Sequence, residues 1–171
     1  MSVNEYYFLE EWFIPAPREE VWEVLSDARI LPQWWRGVYL KAEPLEDYSG
    51  PGVGHRFRAE ARGFLPYHLK FIIESTELTR PTRVAVRTVG DLTGTWSATL
   101  HEADGGTRAV LEERVTADKP LLRVLTPLLK PLFAWNHRWT TPRGEAGLRA
   151  YLREHGKLTT QGGMTTGESQ A

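Results

Sequence analysis

Apolar and polar positions alternate along most of this chain, and the period changes twice. Tyr6-Tyr7-Phe8-Leu9 and Trp12-Phe13-Ile14 form an aromatic, β-branched run that stops at Pro15, which predicts a first strand. Pro17 then stands at a first helical position, with Glu19 and Glu20 in the first turn where the helix dipole favours acidic groups. Val21, Trp22, Leu25 and Ala28 follow helical spacing, and Ser26-Asp27 ends or breaks the helix. A second short helix fits Ile30 to Trp35, with Gly37 as its stop.

From Val38 the period becomes two. Phe57, Ala59 and Ala61 alternate with Arg56, Arg58, Glu60 and Arg62, as a strand with one buried face requires. Tyr67, Leu69, Phe71 and Ile73 make the next inward set, then Val84, Val86 and Thr88, then Trp96, Ala98 and Leu100. Asp104-Gly105-Gly106 signals a hairpin, after which Ala109, Leu111, Glu113 and Val115 share one face. Gly50-Pro51-Gly52-Val53-Gly54 leads into a strand and lacks a following Lys-Ser/Thr pair, so it reads as a hairpin loop and not as a phosphate cradle. After Lys119-Pro120 the pattern turns helical to about Arg153. The prolines at 120, 127 and 131 predict a short turn before the main helix, and Pro142 predicts a kink within it.

A sheet apolar on one face must cover that face, and the last helix is the only element long enough to do so. The expected fold is α+β: a curved antiparallel sheet of about seven strands around a long C-terminal helix, two short helices after the first strand, and an internal apolar cavity. The domain is expected over residues 5–154. Residues 155–171 are poor in apolar side chains and are expected to form a mobile tail.

Composition narrows the chemistry. The chain has 171 residues, 41% hydrophobic, a length suited to one domain. It has no cysteine, so disulfides, thiolate metal sites and a cysteine nucleophile are excluded. A net charge of -1 argues against a nucleic-acid partner, and Arg56, Arg58, Arg62, Lys70, Arg83 and Arg87 read as a solvated outer face. The five histidines show no helical i, i+4 pair, so no metal and no cofactor are expected. No apolar run reaches the ~20 residues of a membrane span, and the residues from Met1 to Glu5 hold no apolar signal region, which predicts a cytoplasmic protein without stable membrane insertion.

Seven tryptophans demand a large apolar volume or a ligand. Helical spacing makes Trp22 core, and Trp96 falls on an inward strand face. Trp34 and Trp35 are adjacent, so one of them is expected at a cavity mouth or on the surface, against a ligand or a partner. In the last helix, Leu148 as the inward mark places Leu152, Gly144, Thr141, His137 and Phe133 on one side and Trp139, Leu132 and Trp135 on the other. Pro142 leaves the facing of the earlier half open, so Asn136, His137 and Trp139 all stand as cavity candidates. Glu113 shares an inward face with apolar residues, where a carboxyl group needs a partner; His137, Arg138 and Arg143 are the candidates, unless a bulge after Glu112 turns it outward. Tyr67 could offer its hydroxyl to a ligand. Binding is thus expected from Trp34, Trp35, Tyr67, Phe71, Trp96, Glu113, Phe133, Asn136, His137, Trp139 and Arg143, with His137 and Glu113 as acid–base candidates.

The run Ile14-Pro15-Ala16-Pro17-Arg18-Glu19-Glu20-Val21-Trp22-Glu23-Val24-Leu25-Ser26-Asp27, followed by Leu31-Pro32-Gln33-Trp34-Trp35, resembles the entry to the START-related helix-grip (SRPBCC) superfamily. Asn136-His137-Arg138-Trp139 with Gly144-Glu145-x-x-Leu148 resembles its bacterial polyketide cyclase/dehydrase-like subgroup. The resemblance spans Tyr6 to Leu152. It implies binding of a lipid, an isoprenoid or a polyketide-like aromatic between sheet and helix. The alternatives are a cyclase or dehydrase using a cavity His/Glu pair, with Arg143 or Tyr67 polarising a carbonyl, and a chaperone-activator-like module presenting Trp34 and Trp35 to a protein.

Overall fold

Strand β1 (Glu5–Ile14) shows how the sheet is built: Tyr6, Phe8, Glu10, Trp12 and Ile14 turn to the concave side, and the odd-numbered residues turn outward. The computed structural model describes residues 5–63, 68–117 and 126–156, without the side chains of 117, 126–133 and 136. Tyr67 and the expected tail beyond 156 lie outside the described residues, as do the side chains of Phe133 and Asn136.

After β1 come helix α1 (Arg18–Ser26), a 3-10 turn (Ala28–Ile30) and helix α2 (Leu31–Trp34). Strands β2 (Tyr39–Pro44), β3 (Arg56–Arg62), β4 (His68–Thr79), β5 (Arg83–Gly90), β6 (Leu92–Ala103) and β7 (Gly106–Ala117) follow, then helix α3 (Thr126–Glu154). The sheet order is β1-β7-β6-β5-β4-β3-β2, all antiparallel, with β1 and β2 at its edges. No helix among the described residues is long and apolar enough to cross a membrane.

Helix α1 is only nine residues long, too short to persist alone, and it is held by burying Val21, Trp22, Val24 and Leu25. The Trp22 indole N–H donates to Arg83 O at 3.1 Å, which ties the helix to β5. Asp27 accepts from the Arg29 N–H at 3.0 Å and so caps the 3-10 turn. Gly37 follows α2 with φ +78°, the left-handed conformation that stops a helix.

Helix α3 runs for 29 residues with Pro131 and Pro142 inside it, and residues 118–125, where the expected short turn begins, lie outside the described residues. Its register holds across Pro142. Leu152, Leu148, Gly144 and Thr141 are buried, whereas Trp135 is 46% exposed on the other side. Trp12, Ile14, Val21, Trp34, Leu100, Leu148 and Leu152 form one core cluster. Ala28, Phe57, Ala59, Ala61, Phe71 and Ile73 form a second, under β3 and β4.

Candidate functional site

The concave face of the sheet and the inward side of α3 leave a cavity of about 130 Å³ between them. Its walls are mostly apolar: Phe8, Val38, Ala61, Leu69, Phe71, Leu92 and Val115, with the rings of Trp35 and Tyr39. Polar groups are few, as in small-molecule sites generally.

The polar groups converge from three elements. Glu113 pairs with Trp96 across the β6–β7 ladder, whose register is continuous. No bulge follows Glu112, so Glu113 faces inward and its neighbour faces out. His137 reaches in from α3. Its Nε2 stands 3.5 Å from Glu113 Oε2, and its Nδ1 stands 3.1 Å from Glu10 Oε1. Thr141 Oγ1 lies 3.4 Å from the same Nε2, one helical turn on. The Phe8 ring stacks on the imidazole with centroids 3.6 Å apart and an interplanar angle of 7°. Glu10 is itself held by the Trp12 indole N–H at 3.4 Å. One imidazole therefore has a carboxyl group within ion-pair range of each nitrogen and an aromatic ring across its face, an arrangement that can take up or pass on a proton beside a bound molecule.

Glu10 and Tyr39 belong to this site although sequence reasoning did not single them out. The signal for Glu10 was present: counting back by twos from Ile14 places it between Phe8 and Trp12 on the inward face. Tyr39 had no such signal. Counting by twos from Ala42 would turn Leu40 inward, but the β2–β3 register shifts between Tyr39 and Lys41, and the bulge sets Tyr39 opposite Ala61. Burial raises the Tyr39 phenol above its ordinary range, and the nearby charge of Glu113 adds to the rise.

The remaining candidates separate into three groups. Trp35, Phe71, Glu113 and His137 line the cavity. Trp96 lines a narrow recess that shares Phe8, Trp35, Glu113 and His137 with it. Trp34, Trp139 and Arg143 do not line it. Trp34 is 2% exposed behind Trp35, stacked on it with centroids 5.2 Å apart. The Arg143 guanidinium lies 3.8 Å over the Trp139 ring and donates to Trp139 O at 2.7 Å, on the side of α3 turned from the cavity. The partner of Glu113 is thus His137, not Arg143. Nor do Trp34 and Trp35 make an exposed patch, because the Trp35 indole N–H donates to Thr140 O at 3.0 Å and the pair is clamped under α3.

A curved sheet gripping one long helix around an apolar cavity defines the class: this is a ligand-binding helix-grip domain. The chain belongs to the family described as polyketide cyclase / dehydrase and lipid transport, whose model matches residues 10–150. None of the curated proteins matches it. Among solved structures it is similar to the Zhui aromatase/cyclase from Streptomyces sp. R1128, with TM-score 0.71, 13% identity, and coverage of 88% of this chain and 95% of that one. It is also similar to TTHA0849 from Thermus thermophilus, with TM-score 0.66, 20% identity, and coverage of 85% and 99%. Ara h 8.0201 shares the fold at TM-score 0.64 and 15% identity, with coverage of 88% and 99%. At these identities the likeness is one of fold.

Proposed function

We propose that this protein binds a hydrophobic small molecule in the cavity between sheet and helix, with Glu113, His137 and Tyr39 forming the polar end of the site. One observation carries the reading: an apolar cavity lined by both elements, with Glu113 and His137 close together on its wall. Of the classes that the family suggests, an aromatic ligand suits walls built from Phe8, Trp35, Tyr39 and Phe71. Native mass spectrometry of the purified protein, with titration of an apolar fluorescent probe, tests it. A retained ligand mass or saturable probe binding is expected; neither appearing would overturn the proposal.

A second reading, acid–base catalysis on the bound molecule, is favoured by the two carboxyl groups flanking His137. The structural likeness to an aromatase/cyclase accords with it. Under this reading His137→Ala and Glu113→Gln abolish turnover of an enolisable ring precursor. Under simple carriage they only weaken binding.

A further inference from the structure

The cavity is small. An apolar cavity of about 150 Å³ holds one benzene ring and stays dry when empty. The space here is about 130 Å³, of the same order, so a single six-membered ring matches it more closely than a fused three-ring system or a long acyl chain. Its shape points the same way. Trp35 and Tyr39 tilt to each other at 50° with centroids 5.5 Å apart, and Tyr39 meets Phe71 edge-on at 6.3 Å. These rings present faces and edges to a planar guest.

Glu113 supplies the polar preference. Its contact to His137 is 3.5 Å, longer than a hydrogen bond, so its oxygens keep their accepting capacity. Glu10 does not compete for a guest, since it is engaged by His137 Nδ1 and Trp12. A partly buried acceptor on an apolar wall favours a guest that carries a donor and penalises one that leaves it unpaired.

We propose that the cavity is selective for a single-ring molecule bearing one hydrogen-bond donor, of which a phenol is the simplest, with the donor on Glu113 and the ring among Phe8, Trp35, Tyr39 and Phe71. This rests on the reading of the cavity as the binding site. The guest completes the polar wall, and its ring takes the place of a missing aromatic side chain.

Calorimetric titration of the full chain with p-cresol, 4-methylanisole, 9-phenanthrol and myristate tests it. p-Cresol binds with one-to-one stoichiometry and about tenfold or more tighter than 4-methylanisole, the expected worth of a hydrogen bond to a carboxyl group. Glu113→Leu erases that difference, whereas a preference based on size alone survives the substitution. Neither 9-phenanthrol nor myristate binds more tightly than p-cresol. Equal binding of p-cresol and 4-methylanisole to the unaltered protein overturns the inference without need of the variant. Tighter binding of the three-ring or acyl probe overturns it too, but leaves the cavity standing as a binding site. If no probe binds, that wider reading falls with it.

Discussion

Gly147 sits where α3 crosses α2, and a Cβ there would lie 1.8 Å from the backbone oxygen of Trp34. Backbone cannot swing aside as a side chain does, so Gly147→Ala forces the helices apart. The clash outweighs the up to ~1 kcal/mol that alanine gains in a helix. We expect a net loss of about 1–3 kcal/mol, read as a lower unfolding midpoint in denaturant. Gly144 works in the same way one turn earlier: its missing side chain leaves the hollow filled by the edges of Trp35 and Trp12, which would stand 2.7 and 2.8 Å from a Cβ at that position. Glu10→Gln is a different kind of change. It keeps the shape and removes the charge that stands 3.1 Å from His137 Nδ1, so the unfolding midpoint should change by no more than about 1 kcal/mol. At this scale the sequence disclosed residues with strict alternation and hid those set by an irregularity. Glu113 could be placed from its strand neighbours and Glu10 was open to the same count, but Tyr39 depends on a bulge that no residue pattern announces.

Edge strands are exposed to unwanted pairing, and α3 guards one of them. Arg149 Nε donates to Phe13 O at 2.9 Å, and Glu145 accepts from the Phe13 N–H at 3.4 Å, with the two side chains bridged at 2.9 Å one helical turn apart. The helix thereby closes the exposed backbone of β1 at its end. Arg149→Ala should lower the unfolding midpoint by the equivalent of about 1 kcal/mol and raise self-association in sedimentation experiments. The loop before β3 is fastened differently. Tyr48 packs under the Arg29 guanidinium, 4.0 Å from its ring, and against Phe57. Burial, then the charge of Asp27, pushes the Tyr48 phenol up to about 12, with Arg29 opposing. An unfolded tyrosine loses its proton near pH ~10, before the folded one does. The contribution of Tyr48 to stability is therefore full below pH ~10 and fades as pH rises toward about 12. Denaturant midpoints should fall across that window, and Tyr48→Phe should flatten the fall. Elements were legible where period and punctuation agreed, as in the Asp104-Gly105-Gly106 hairpin. They were less so in α3, where Pro131 argues locally against a helix and Pro142 for a kink, and the helix runs from Thr126 to Glu154 through both.

As a whole, the molecule is two apolar clusters with a gap between them. One lies where α1, α2 and α3 meet the sheet, and the other under β3 and β4. Trp34, at the end of α2 under α3, is the largest fully buried side chain among the described residues, and Trp34→Ala should cost about 3–5 kcal/mol by leaving a hole that rigid neighbours cannot fill. Architecture was legible because it follows from which face each strand buries. The volume of the gap was not. It depends on the bulges at Tyr39 and Ser75, which bend the sheet, and on the depth to which α3 settles onto Gly144 and Gly147. Those are sub-ångström outcomes of packing, and a residue pattern does not encode them singly. The stacked Trp34–Trp35 pair carries a last consequence. Two indoles with centroids 5.2 Å apart and an interplanar angle of 22° share their electronic excitation, and Trp12 stands edge-on to Trp35 at 5.9 Å, so the protein should show an exciton couplet in its circular dichroism that Trp34→Phe alters. Because Trp35 also lines the cavity, an arriving guest perturbs one chromophore of the couplet, and the molecule signals its own occupancy without a label.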